Sequence, residues 1–207
     1  EYQGPPSVTN NGATGVGLTD ATLNGTVVTT GGASTEVSVY WDLTDKGTTK
    51  EDWGNSHSFG TAGEGSLATN VTGLSPETPY YYRFYATNTY GEDWSAASNF
   101  TTVGLNVTTA GVAQIITQGV ARLNGDVNKD TDISIFWDVV DRGPNSGGWA
   151  KSVMLGGVAA GTFSTDASHL LYGLTYYYRC FASNTVDGST EWSSAVEFSL
   201  PVPEGST

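Results

Sequence analysis

Hydrophobic and polar side chains alternate along several short stretches of this chain. Val37, Val39 and Trp41 share one face of an extended segment, with Ser38, Tyr40 and Asp42 on the other. Ile133, Ile135 and Trp137 stand in the same way against Ser134, Phe136 and Asp138. A period of two carried by β-branched and aromatic residues predicts half-buried strands. The strongest pattern sets Tyr80, Tyr82, Phe84 and Ala86 against Tyr81, Arg83, Tyr85 and Thr87. A second copy sets Tyr176, Tyr178, Cys180 and Ala182 against Tyr177, Arg179, Phe181 and Ser183. Further strands are expected to begin at Val8-Thr9 and Val107-Thr108, to cover 21–28, 121–127 and 66–72, and to end at Phe100 and Phe198. Asp45-Lys46-Gly47 and Asp141-Arg142-Gly143 read as turns, because an Asp side chain bonds its local backbone. Periodicity fixes no register for the Gly-rich stretch that follows each turn.

The strands come in matched sets because the chain is one unit written twice. Tyr80-Tyr81-Tyr82-Arg83 returns 96 residues later as Tyr176-Tyr177-Tyr178-Arg179, and the 6 tryptophans pair as Trp41 with Trp137, Trp53 with Trp149 and Trp94 with Trp192. Ala21 to Gly25 likewise returns at Ala121 to Gly125. A fixed repeat sets the architecture, and each copy has about the length of a seven-stranded sandwich. The expected layout is an extended segment 1–7, a first domain 8–102, a second domain 103–200 and a tail 201–207. Duplication makes two copies of one surface, whereas an enzyme site gathers unlike residues in one place.

Composition narrows the function classes. Charged residues are 14% and aromatics 12% of the chain, with Gly, Thr and Ser plentiful, which favours short strands over helices. The net charge of −13 repels phosphate backbones and anionic lipid, which argues against nucleic acid and membrane-surface partners. No apolar run approaches the length of a membrane span, so membrane insertion is not expected. A single cysteine, Cys180, precludes an intramolecular disulfide.

Leu74-Ser75-Pro76-Glu77-Thr78-Pro79-Tyr80, followed by Arg83 to Ala86, Asn88, Gly91 and Phe100-Thr101-Thr102, resembles the second half of a fibronectin type III domain. Trp41-Asp42, Asp45-Lys46-Gly47, Trp53 and Tyr80 to Arg83 are similar to fibronectin-type repeats of large secreted bacterial surface and matrix proteins. The resemblance covers nearly all of residues 8–200. It implies an all-β chain of two tandem fibronectin type III-like (immunoglobulin-like) Greek-key β-sandwiches. It also implies that Tyr80 and Tyr176 brace a strand corner. Cys180 stands where the first copy has Phe84, which suggests looser packing there.

Most candidate chemistry dissolves on inspection. Alternation with Tyr178 and Ala182 puts Cys180 in a core, where a lone thiol acts as a small hydrophobe. His57 and His169 occupy inequivalent positions without the neighbours a zinc site needs. The chain has no Gly-x-Ser-x-Gly elbow, and catalysis is not expected. Asn128, Asp130 and Asp132 offer oxygens at alternate positions, a weak calcium candidate lacking the remaining ligands of a full loop; no other cofactor is implied. Asn24, Asn70, Asn99 and Asn106 open Asn-x-Ser/Thr sequences and are weak candidate glycan acceptors.

The outward face of the central sheet draws more interest. Tyr40, Tyr81, Arg83 and Tyr85 are expected to lie together, as are Phe136, Tyr177, Arg179 and Phe181, with Trp94 and Trp192 beginning the adjacent last strand. The resemblance implies a self-contained ladder in which each Arg stacks on its Trp. The alternative is an exposed patch that binds protein or stacks on sugar rings.

The termini complete the reading. Tyr2, Gly4, Pro5 and Pro6 belong to a spare segment able to reach about 25 Å and to pair with an edge strand of a second copy. Pro201-Val202-Pro203-Glu204 is similar to the opening of a bacterial sorting tail, with Gly205 in place of its second proline. The expectation is therefore a non-enzymatic, extracellular or cell-surface structural protomer. It would associate head-to-tail with copies of itself in a stalk, matrix or fibre. The rival expectation is an adhesive module for polysaccharide, or an accessory region of a larger secreted enzyme.

Overall fold

The computed structural model describes residues 3–202, apart from 112 and 118. The chain divides into two compact units, Glu1–Gly104 and Leu105–Thr207. Both are all-β fibronectin type III-like sandwiches with the same topology. In the first, β1 (Ser7–Thr14), β2 (Asp20–Thr29) and β5 (Gly65–Thr72) form a three-stranded sheet in the order β1-β2-β5. The facing sheet runs β4 (Asn55–Thr61), β3 (Glu36–Asp42), β6 (Pro79–Asn88), β7 (Gly91–Trp94), with β8 (Ser98–Thr101) also on β6.

The second unit repeats this plan. Its smaller sheet holds β9 (Val107–Thr109), β10 (Gln114–Thr117), β11 (Val120–Val127) and β14 (Gly161–Ala167). Its larger sheet runs β13 (Lys151–Val158), β12 (Thr131–Asp138), β15 (Thr175–Ser183), β16 (Thr190–Trp192), with β17 (Val196–Ser199) also on β15. Every strand pair described is antiparallel. The Gly-rich stretches without a sequence register are the edge strands β4 and β13.

The alternation read from sequence becomes the core. Val37, Val39, Tyr80, Tyr82, Phe84 and Ala86 are buried against Ala21, Leu23 and Val27 of the opposite sheet. Ile133, Ile135, Tyr178 and Cys180 are buried in the second unit. The Tyr80 hydroxyl accepts the Ser75 N–H at 3.0 Å, and the Tyr176 hydroxyl accepts the Leu171 N–H at 2.9 Å. Each bond ties the loop before the tyrosine-rich strand to that strand, which is the strand-corner brace of such sandwiches.

Three local expectations are corrected. Cys180 does not loosen its core. A Cβ on Gly125 would lie 2.2 Å from the Phe163 ring and 3.0 Å from the Cys180 sulfur, so Phe163 fills the space above this glycine. In the first unit the equivalent Gly25 is covered by the Phe84 ring at 2.7 Å, and the residue paired with it is Leu67. Large and small have exchanged between facing sheets.

The last strand is also not continuous. Trp94 and Trp192 end β7 and β16 rather than opening a strand. Ser95 and Ser193 then break the ladder, each hydroxyl accepting a backbone N–H, from Phe84 at 2.9 Å and Cys180 at 2.8 Å.

Finally, the N-terminal segment is not spare. Gly4 donates to the Gly31 carbonyl at 2.9 Å and accepts from the Asn88 amide at 2.9 Å. The Tyr90 hydroxyl donates to the Gln3 side chain at 2.7 Å, and Pro6 is buried. Gly31 has φ 65°, and a Cβ there would meet the Gly4 oxygen at 2.0 Å, so only glycine admits this approach. The second unit has a counterpart: Leu105, two residues before Val107 as Pro6 is before Val8, is likewise buried. Gly4, Pro5 and Pro6 are therefore committed to their own sandwich, and Tyr2 lies outside the described residues. Replacing Gly31 with Val is expected to expel residues 3–6, read as new protease cleavage there and a lower Tm of the first unit; an unchanged digest would contradict the docking.

Candidate functional site

The outer face of each larger sheet brings the candidate residues together. Tyr40 on β3 stands opposite Arg83 on β6, and Tyr85 stands opposite Trp94 on β7. Their rings form a trio: Tyr85 to Trp94 at 4.8 Å between centroids, Tyr40 to Trp94 at 5.3 Å, and Tyr40 to Tyr85 edge-on at 6.4 Å. In the second unit Phe136, Phe181 and Trp192 repeat it, with Phe181 to Trp192 at 4.7 Å and Phe136 to Trp192 at 5.1 Å. Tyr81 and Tyr177 point to the same side but lie four residues before Tyr85 and Phe181 on their strands, outside the trios. The Glu197 carboxylate beside Tyr177 raises that phenol above its ordinary value.

Neither arginine finds its expected partner. Arg83 makes a bidentate pair with Asp45, Nε to Oδ1 at 2.8 Å and Nη2 to Oδ2 at 2.7 Å, while Nη1 donates to the Ser95 carbonyl at 2.9 Å. Arg179 repeats this with Asp141 at 2.8 and 2.7 Å and with the Ser193 carbonyl at 2.8 Å. The Arg–Trp stack is thus corrected, and the magnitudes explain the choice. A charge-assisted hydrogen bond contributes about 1.5–3 kcal/mol, against about 0.5–1 kcal/mol for an exposed cation–π contact. The serine carbonyl is available because the strand breaks there. Asp45 and Asp141 do form their turns, each Oδ1 accepting a backbone N–H at 3.0 Å from Gly47 or Gly143, but they clamp the arginine as well. That hydrogen bonding holds Asp45 and Asp141 below the usual carboxylate range. The signal was present in sequence: both pairs are separated by 38 residues.

The clasp draws the loop between β3 and β4 over the sheet. Lys50, in the one helical turn among the described residues (Lys50–Asp52), places its ammonium 3.7 Å from the Tyr85 ring centre. Trp53 is buried and donates to the Gly47 carbonyl at 3.3 Å. Tyr85 is consequently only 4% exposed and Phe136 8%. Of the candidate rings, Tyr85 and Phe136 are thus covered, by Lys50 and Trp94 and by Trp192, whereas Tyr40, Trp94, Phe181 and Trp192 stay half-buried.

The remaining candidates separate. Asn128 Oδ1 accepts the Asn106 N–H at 2.8 Å, and Asp130 Oδ1 accepts the Ala160 N–H at 2.8 Å. Lys129 between them pairs with Asp187, whose carboxyl is pushed down to about 2 mainly by that hydrogen bond. One oxygen each of Asn128 and Asp130 is thus engaged by backbone, and the Lys129 ammonium stands in the same turn. No cluster of three His, Cys, Asp or Glu stands ready for a metal among the described residues. The Asn24 amide donates to the Gly12 carbonyl at 2.9 Å and the Thr14 hydroxyl at 3.0 Å across β1. Asn70, Asn99 and Asn106 are exposed.

Cys180 is wholly buried, and burial pushes its thiol up to about 12. Native protein at neutral pH is expected to resist a thiol-titrating disulfide reagent and to react stoichiometrically only in denaturant. Rapid labelling of the folded chain would contradict the packing. His57 and His169 are exposed.

No protein-family model and no curated protein sequence matches the chain. Among solved structures it is similar to the sensor domain of the anti-sigma factor RsgI4 of Pseudobacteroides cellulosolvens, determined in a short and a long form. The short form is 19% identical with a TM-score of 0.35, covering 48% of this chain and 95% of that one. The long form is 16% identical with a TM-score of 0.35, covering 54% and 99%. The FN1–FN3 domains of chicken CNTN1 are 13% identical with a TM-score of 0.35, covering 97% of this chain and 66% of theirs.

Proposed function

We propose that the chain is a non-enzymatic structural element of an extracellular or cell-surface assembly, a protomer of a stalk, matrix or fibre that associates with copies of itself. The observation that supports this most is the recurrence of one internal clasp in both units. Arginine, aspartate and tryptophan are the side chains with which a binding surface would meet a ligand. Here they are spent twice, at equivalent positions, on fastening a loop to its own sheet. A module selected to carry load or set a spacing needs that kind of internal fastening in every copy. The acidic surface keeps such a protein soluble until it meets a matching partner. The motif resemblance to repeats of bacterial surface and matrix proteins agrees with this reading.

The N-terminal segment is not the means of association, since it completes its own sandwich. The reading places the contact on the surfaces of the folded units. Light scattering over a concentration series, with negative-stain images of the concentrated sample, tests the reading. Growth into elongated particles is expected. A monodisperse monomer throughout, or saturable polysaccharide binding in place of self-association, would overturn it.

A further inference from the structure

The two units differ sharply at one end. In the first unit the ends of β3 and the loop before β6 present Leu43-Thr44 and Ser75-Pro76-Glu77-Thr78. At the same positions the second unit presents Val139-Val140 and Leu171-Tyr172-Gly173-Leu174. Val139, Val140, Leu171, Tyr172 and Leu174 are all exposed, Leu171 to 64%. Val139 and Leu171 line a hollow of about 230 Å³ together with Trp137, His169, Leu170 and Tyr176, and the one carboxylate in its wall, Asp138, is already paired with Arg142. Val202, close to Gly173 where the chain leaves the sandwich, extends the apolar rim. Contiguous apolar surface of this kind marks a contact site.

A second observation says what the site accepts. Of the 8 lysines and arginines, six form ion pairs and Lys50 lies over Tyr85. Lys151 is the remaining one, without an ion pair among the described residues, and it lines the same hollow. Its counterpart in the first unit is Asn55, the residue opposite Trp41 as Lys151 is opposite Trp137. A cation with no ion pair among the described residues, set beside apolar surface, calls for a carboxylate next to an apolar or aromatic group.

This chain carries that combination at the opposite end of its first unit. Tyr90, in the turn between β6 and β7, is 47% exposed. Three exposed carboxylates belong to the strands and loops at this end of the unit. Glu36 is opposite Thr87, Glu64 accepts the Thr30 N–H at 3.3 Å, and Glu92 accepts the Tyr85 hydroxyl at 2.8 Å. We infer that the apolar end of the second unit, with Lys151, receives the Tyr90 end of the first unit of a second copy. Unlike surfaces meeting in this way form a heterologous contact, which joins copies head to tail. The inference rests on the proposed self-association and assigns its surface.

Sedimentation velocity of the intact chain over a dilution series tests it. The comparison set is Leu171→Ser with Leu174→Ser, Lys151→Glu, Glu64→Lys, and Met154→Ser as an exposed control on β13. Thermal melts confirm that each variant folds. Self-association is expected to weaken about tenfold or more in the first three and to be unchanged in the control. It should fall with added salt and return when Lys151→Glu is mixed with Glu64→Lys. Variants that associate like the parent would overturn this surface while leaving self-association standing. A parent chain that stays monomeric at every concentration would overturn both.

Discussion

Replacing Cys180 with Phe is expected to destabilise the second unit by about 1–3 kcal/mol, and Phe163→Leu in the same chain to recover most of that loss. The reason is the exchanged packing over the paired glycines. Phe163 already occupies the space above Gly125, with the Cys180 sulfur beside it. A second ring has nowhere to go without bending rotamers or separating the sheets. The double variant instead reproduces the arrangement of the first unit, where Phe84 covers Gly25 and Leu67 takes the partner position. Phe163→Leu alone leaves Cys180 beneath a void and is expected to cost about 1 kcal/mol or more. Denaturant unfolding of all four proteins forms a double-mutant cycle. Strong coupling between the sites is the expected result. Simple addition of the two losses would show that the residues do not share one space.

Breaking either clasp is expected to lower the stability of its own unit by about 1–2 kcal/mol, read as an earlier unfolding transition for Arg83→Met or Arg179→Met. Methionine keeps much of the apolar stem, so the loss reports the bonds to aspartate and serine rather than packing. The same bonds should give an acid dependence. Asp45 and Asp141 sit below the usual carboxylate value because each bonds an arginine, and Asp187 lies at about 2 because it bonds Lys129. A carboxylate lowered in the folded state stabilises above its unfolded pKa, which is about 4. That stabilisation is lost as pH falls through the folded value. Tm should therefore decline from about pH 5 downward, and less steeply in the arginine variants. A variant whose acid dependence matches the parent would separate the clasp from the pH effect.

The strands with apolar alternation were legible because one face of each had to be buried. That holds for Val37 to Trp41, for Tyr80 to Ala86, and for their copies. The edge strand β4 was not, since most of its residues are exposed and nothing apolar marks a face. Fold class and the tyrosine corner followed from motifs that lie close together in sequence. The candidate site was legible as a set of residues but not as a set of partners. Tyr40, Tyr85, Arg83 and Trp94 do converge, yet alternation cannot tell an outward side chain that meets water from one that a loop will cover. The missing information was in the loop: Asp45, Lys50 and Trp53 have no periodic pattern, and only the equal spacing of the two Asp–Arg pairs hinted at their role. The docking of Gly4 to Pro6 was hidden for a related reason. Its anchors, Gly31, Asn88 and Tyr90, are distant in sequence and polar or small.

Amide chemical shifts of the isotopically labelled chain, followed from dilute to concentrated solution, bear most directly on an inert clasp combined with an adhesive end. Perturbations are expected around Val139, Lys151, Leu171 and Tyr172 and around Glu64 and Tyr90, while Arg83, Tyr85, Arg179 and Phe181 stay still. Shifts centred on the clasped aromatic faces, or none at any concentration, would contradict the account.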